Sequence, residues 1–397
     1  MKTSRRSQVP PFAVMEILAA ANARRDAGAS IISLCAGEPA TGASEVIRQR
    51  AVELLASGNL GYTEAIGAPA LRRAIAEHYA RWYDVHVPPS QIAVTTGSSG
   101  AFVLAFLAAF DPGDRVALAR PGYPAYKNIL TSLSCEVVEL SCGPETRYQP
   151  TVEQLTSAYY EGGLDGVVVA SPANPTGTMI SREELAAIAH WCAEYDVRLI
   201  SDEIYHGITY GDAGSTEQGM AEQGTAARYL DEGALVVSSF SKYWAMTGWR
   251  LGWLVLPTDL VPPVDALASN VALCPPALAQ HAAIAAFSPQ GYAAAQVDVE
   301  RYAASRALLL RRLPELGWGV APPDGAFYLY ADISSSGLDS VTWCARLLDE
   351  AGVALTPGTD FDGVDGDRWV RLAFAQSVEV LDEAVDRIVA WQERLAR

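Results

Sequence analysis

The stretch that decides the reading of this chain is Ser238-Ser239-Phe240-Ser241-Lys242-Tyr243-Trp244-Ala245-Met246-Thr247-Gly248-Trp249-Arg250. It follows an apolar β-branched run, Leu235–Val237, that reads as a buried strand. A lysine at the end of a core strand, set among aromatic residues, is rarely there without a partner or a task. Burial lowers the pKa of such an amine and makes it a usable nucleophile. The plainer reading of Lys242 is an ordinary surface lysine in a loop, and its aromatic neighbours weigh against that.

Working outward, strand-like and helix-like segments alternate from about residue 45 to 290. The apolar runs include Ile92–Val94, Val116–Ala119, Val167–Ala170 and Leu199–Ser201, with helix-like Ala101–Phe110 and Glu183–Tyr195 between them. Such alternation predicts an α/β domain with a largely parallel, buried sheet flanked by helices. Residues 290–313 predict one long helix. After it come short strands (Phe327–Tyr330, Trp369–Phe374) and two helices, which predict a second, smaller α+β domain. Residues 1–44 read as an arm with a first strand, Ile31 to Cys35, that belongs in part to the small domain. The expected division is therefore 1–44, a large domain at 45–290 and a small one at 291–397.

The 397 residues suit two packed domains better than one core. A formal charge of −17 and a pI of about 4.7 repel nucleic acid and anionic membranes, and a cytoplasmic protein is expected. Cys35, Cys135, Cys142, Cys192, Cys274 and Cys344 form no C-x-x-C pair and stand beside no histidine at metal spacing, so reduced core cysteines and no metal site are expected. Arg5 and Arg6 precede Val9-Pro10-Pro11-Phe12 and an apolar stretch interrupted by Glu16 and Asn22, which predicts an amphipathic helix rather than an export signal.

The signature S-x-S-K-x-x-x-M-x-G-x-R runs from Ser239 to Arg250, and further matches continue from Gly37-Glu38-Pro39 to Arg371. On these motifs the chain resembles the class I/II aminotransferases, the aspartate aminotransferase superfamily of pyridoxal-5′-phosphate (PLP) enzymes with the type I fold. The resemblance implies that Lys242 forms the Schiff base with PLP. Val94-Thr95-Thr96-Gly97-Ser98-Ser99-Gly100-Ala101 matches the phosphate cup, where backbone N–H groups at a helix N-terminus suit an anion. Ser98, Ser99, Ser239 and Arg250 map to phosphate ligands. Asp202, in Ser201-Asp202-Glu203-Ile204-Tyr205, maps to the partner of the pyridine nitrogen, and Asn174 and Tyr205 to the groups at the phenolic oxygen. Tyr123 maps to the aromatic stacked on the ring. Arg371 and Gly37 map to the holders of the substrate α-carboxylate. Tyr62 resembles a tyrosine that reaches the partner subunit's phosphate, which implies a homodimer with active sites at its interface.

The implied reaction moves the amino group of an L-amino acid to a 2-oxo acid by a ping-pong route, with Lys242 carrying the proton. Other PLP chemistries share these cofactor-holding residues: C–S or β-lyase, cyclopropane-forming synthase and amino-acid oxidase remain alternatives. A PLP-sensing regulator with an added DNA-binding domain fits poorly with the acidity. Phe12, Met15, Phe327 and Phe361 lie in segments that line the side-chain pocket in relatives. The partner-loop stretch Ser269–Pro276 contains Val271-Ala272-Leu273 and no arginine. Neutral or apolar donors are therefore expected to be preferred over aspartate. The frequent Pro-Gly-x-x-Phe-Gly of the family reads here Pro357-Gly358-Thr359-Asp360-Phe361-Asp362, a departure at the substrate-facing edge.

Borohydride reduction of the cofactor-loaded protein, followed by peptide mapping, should place the pyridoxyl group on Lys242. A label on any other lysine refutes this reading.

Overall fold

In the computed structural model, which describes residues 1–58, 60–211 and 223–395, the β-branched runs become the strands of one sheet. The chain enters through α1 (Ala13–Asp26), β1 (Ile32–Ser33), α2 (Glu45–Ser57) and α3 (Pro69–Tyr83). There follow β2 (Ile92–Thr95), α4 (Gly97–Ala109), β3 (Arg115–Arg120), α5 (Pro124–Leu133) and β4 (Glu136–Ser141). Next come α6 (Val152–Gly162), β5 (Gly166–Ala170), α7 (Arg182–Glu194), β6 (Arg198–Asp202), β7 (Leu235–Ser239) and β8 (Gly252–Val255). These strands form a seven-stranded sheet in the order β2-β8-β7-β6-β5-β3-β4. All neighbours are parallel except β8, which runs antiparallel to β2 and β7.

Both faces of this sheet are apolar because both are covered. Val116, Leu118, Val168, Ile200, Leu235, Val237 and Leu254 share one core layer with Phe102 and Phe106 of α4. Their alternating neighbours Ala117, Val167, Val169, Leu199, Val236 and Val255 fall in the core on the other side. This is the period of two that a strand imposes. Helix entry is chemically marked: Thr151 with Gln154, and Ser181 with Glu184, form capping boxes at α6 and α7.

Then α8 (Val261–Val271), α9 (Ala277–Ala283) and the long α10 (Pro289–Leu316) lead out of the sheet region. Helix α10 starts at the Ser288 cap and stops at Gly317, whose φ of +66° suits glycine. The remaining elements are β9 (Gly319–Val320), β10 (Tyr328–Asp332), α11 (Ser340–Ala351), β11 (Val353–Ala354), β12 (Thr356–Pro357), β13 (Trp369–Ala373) and α12 (Val378–Leu395). Strands β12-β13-β10-β9 form a four-stranded antiparallel sheet. β1 pairs in parallel with β11, which ties the N-terminal segment to the C-terminal part of the chain. α1 packs through Ala21 against Cys35, Leu348 and Ala354. The arrangement is the α/β fold with a mixed, mainly parallel sheet and a small antiparallel sheet.

All six cysteines are unpaired, and all but Cys274 are buried. Among the described residues no helix is long and apolar enough to cross a membrane, and no cluster of His, Cys, Asp or Glu could hold a metal ion.

Candidate active site

A cleft of about 330 Å³ opens where the C-terminal ends of the parallel strands meet β10 and β13. Ligands of open α/β sheets bind at this edge, because loops and helix N-termini converge there. The structure brings Gly37, Ser98, Ser99, Tyr123, Asn174, Asp202, Tyr205, Lys242, Arg250 and Arg371 to the lining of this one cleft, although they span more than three hundred positions of sequence.

Lys242 leaves β7 and donates from Nζ to the carbonyl of Gly37 at 2.6 Å. Burial, aided by the nearby charge of Arg371, lowers its pKa to about 8. The amine is thus held close to the range in which it can shed its proton and act as a base or nucleophile. Asp202 closes β6 and is buried; burial raises its pKa to about 6. Hydrogen bonds from the Tyr126 hydroxyl and from the Ile204 N–H to its carboxylate pull the other way.

Arg371 lies on β13 with only 3% of its surface exposed. It donates to Asn174 Oδ1 at 2.8 Å, to the Cys35 carbonyl at 2.6 Å and to Thr356 Oγ1 at 3.4 Å. Its guanidinium lies 4.5 Å from the Tyr328 ring centre and 4.6 Å from that of Phe361. All of these partners are neutral. Asp360 acts on it only through space, and a buried cation hydrogen-bonded only to neutral groups is costly, so an incoming carboxylate gains a strong, forked partner here.

At the other end of the cleft, Gly97 opens α4 with φ +69°. A Cβ on Gly97 would sit 2.5 Å from Nη2 of Arg250, so the guanidinium lies directly over the first turn of the helix. A Cβ on Gly252 would meet backbone atoms of Gly97, Ser98 and Ser238 at 2.8 Å. These two glycines let β8 and α4 approach until the helix N-terminus faces the cleft. Thr96 makes no side-chain cap and the first turn carries no acid, which leaves N–H groups, Ser98, Ser99 and Arg250 for an anion. That donor set fits the phosphate of PLP, and the buried Asp202 carboxylate fits a protonated ring nitrogen.

Ser239 ends β7 and is buried: its hydroxyl receives the Ser241 N–H at 3.0 Å and contacts Ser241 Oγ at 2.9 Å and the Leu251 carbonyl at 3.2 Å. Ser241 lines the cleft. In the segment of Phe327, Phe327 itself is fully buried with its ring at right angles to that of Tyr205, and Tyr328 lines the cleft. Phe12 stacks on Tyr123 at 6.1 Å, and Met15 faces the cleft beside Val14 and Leu18. Tyr62 lies apart, 84% exposed.

Tyr126, Tyr328 and Glu38 also line the cleft, and the motifs alone did not single them out. Tyr126 had a signal: it stands three residues after Tyr123 at the start of a helix, and such residues share a face.

Comparison with known proteins shows the family and the fold. The model for aminotransferase class I and II matches residues 29–388. The chain is 51% identical over 387 residues to the valine–pyruvate aminotransferase of Mycobacterium tuberculosis (strain ATCC 25618 / H37Rv), covering 97% of each protein. It is similar to the crystal structure of an aminotransferase from Mycobacterium tuberculosis, with a TM-score of 0.94, 50% identity and coverage of 99% of this chain and 100% of that one. It also resembles the aspartate aminotransferase of Thermus thermophilus with maleate, with a TM-score of 0.91, 34% identity and coverage of 98% and 99%.

Replacing Asp202 by Asn should leave PLP bound while cutting turnover by about 10²–10³-fold. Tyr126→Phe removes one donor that favours the carboxylate, so it should raise the pKa of Asp202 and lower kcat by roughly tenfold. Steady-state kcat at saturating substrates measures both, and near-normal turnover in Asp202→Asn overturns the placing of that carboxylate.

Proposed function

We propose, on the premise that this chain belongs to the class I and II aminotransferase family, that it moves the amino group of a neutral, apolar L-amino acid to a 2-oxo acid such as pyruvate. When bound, PLP supplies a ring that withdraws electrons from the substrate Cα. The chain's residues do the rest. Arg250, Ser98, Ser99 and Ser239 hold the phosphate, with Ser241 beside them. Asp202 accepts the hydrogen bond of the ring nitrogen and keeps its proton in place. Tyr205 and Asn174 face the phenolic oxygen, and Tyr123 covers the ring. Arg371 and Gly37 orient the α-carboxylate. Lys242 takes the proton from Cα, since its amine is buried and reaches the same corner as Gly37. The first 2-oxo acid leaves before the second enters.

One observation carries the donor preference. Among the described residues, the cations lining the cleft are Lys242, Arg250 and Arg371, and each has a task. The wall contributed by α1 is Val14, Met15 and Leu18. A distal carboxylate would be buried there without a partner at a cost of several kcal/mol. An extra methylene contact returns about 0.8 kcal/mol, so an apolar side chain gains where aspartate loses. The valine–pyruvate name of the relative at 51% identity supports the same preference.

We further propose a homodimer in which Tyr62 serves the neighbouring subunit's phosphate. Its side chain points out of its own subunit, and Val271 and Leu273 of the expected partner loop are exposed as well.

With pyruvate as common acceptor, kcat/KM for valine, leucine and phenylalanine should exceed that for aspartate by at least about tenfold, roughly 1.4 kcal/mol. Aspartate leading by that margin refutes the pocket reading. For the dimer, mixing Lys242→Ala with Tyr62→Phe subunits creates sites free of both defects. Activity should rise above either parent once subunits exchange. Proven exchange without a rise means that Tyr62 acts within its own subunit.

A further inference from the structure

We infer that Tyr328 is a positioning residue that directs the phenolic proton of Tyr205 toward the cofactor's phenolic oxygen. This rests on the proposed placing of Tyr205 at that oxygen and goes beyond it by naming the group that frees the Tyr205 proton. The two hydroxyls are buried and 2.6 Å apart, and either could be the donor. A phenol has one proton to give and lone pairs to accept with. Were Tyr205 to give its proton to Tyr328, none would remain for the cofactor. With Tyr328 as donor, the Tyr205 proton is free to turn into the cleft, and the two bonds in series polarise each other.

The surroundings select the second arrangement. The Arg371 guanidinium lies 4.5 Å from the centre of the Tyr328 ring, and a cation over a phenol makes it the more willing donor. Burial raises the pKa of both phenols, that of Tyr205 well above its usual value. The arginine charge opposes burial at both; at Tyr328 it comes next after burial, whereas at Tyr205 it comes behind the upward pull of Tyr328 itself. Gly37 confines the Tyr328 hydroxyl: a Cβ on Gly37 would lie 1.7 Å from that oxygen. Tyr328 opens β10 of the small sheet and Tyr205 follows β6 of the large one, so the bond also spans the two sheets. One ring thus touches the proposed carboxylate fork, the glycine that receives Lys242, and the proposed phenol ligand.

The test is a pH titration of the holoenzyme's visible absorbance band, which reads the bound chromophore and not turnover. Donation to the phenolic oxygen favours the form in which that oxygen carries uncompensated negative charge, the form that prevails above the transition. Weaker donation therefore moves the transition to higher pH. Tyr205→Phe should raise it by about 1–2 pH units, the size of a hydrogen bond to a charged group. Tyr328→Phe keeps the ring under Arg371 and removes only the hydroxyl. It should raise the transition by about 0.1–0.6 pH unit, since cooperativity adds some 10–30% per bond. In a Tyr205→Phe background the same change should do nothing, because the effect passes through the Tyr205 proton. No shift in Tyr328→Phe, or an equal shift with and without Tyr205, overturns the inference while leaving Tyr205 in place. A silent Tyr205→Phe refutes the placing of Tyr205 itself, and the inference falls with it.

Discussion

Desolvation of charge at one sheet edge is the constraint on which the rest of the molecule depends. Lys242, Asp202 and Arg371 would each be stable as ions in water, and here all three are held in or beside the protein interior. Burial drives the amine toward its neutral form and the carboxyl toward its protonated form. The Arg371 guanidinium lies among neutral oxygens and aromatic faces. An apolar core alone would not tolerate this set. It is tolerated because Gly37, Tyr126, Asn174 and Thr356 each turn one polar atom toward it. The same imbalance suits a substrate whose carboxylate completes the pairing of Arg371 and whose Cα proton needs a base.

The fold's contribution is convergence. Parallel strands end together, which places Asp202 at the end of β6 and Lys242 just after β7, while α4 points its N-terminus at the same space. Close approach of backbones sets how tightly these parts meet. Gly97 and Gly252 allow β8 to lie against the first turn of α4, and Gly37 allows the Tyr328 hydroxyl to enter between the two sheets. Larger residues at these positions would separate the phosphate end, or the carboxylate end, from the chemistry between them.

Much of this was legible in the residue order. The β-branched runs at Val116–Ala119, Val167–Ala170, Leu199–Ser201 and Leu235–Val237 became strands with margins of one or two residues. The long helix expected over 290–313 spans Pro289–Leu316. The short antiparallel strand Gly252–Val255 was not singled out, since four residues carry little periodic signal. The finest detail was not legible: at the start of β10, Tyr328 lines the cleft while Phe327 beside it is buried in the core. Neighbouring side chains of extended backbone point opposite ways, so adjacent positions divide between core and cleft.

What the sequence by itself determined is the chemistry and its order along the chain: the lysine after a buried strand, the Gly/Ser turn opening a helix, the strand-end aspartate, and an arginine between valine and leucine. These are local patterns, and local patterns survive without knowledge of the fold. Tertiary structure alone decided the partners. Tyr330 stands opposite Arg371 in the β10–β13 ladder, which puts Tyr328 on the same face as the guanidinium. Tyr126 reaches Asp202 across 76 positions of sequence, and Tyr328 reaches Tyr205 across 123. Pairing register and the contact of two sheets are set by long-range burial summed over many residues, and no short stretch of sequence contains that sum.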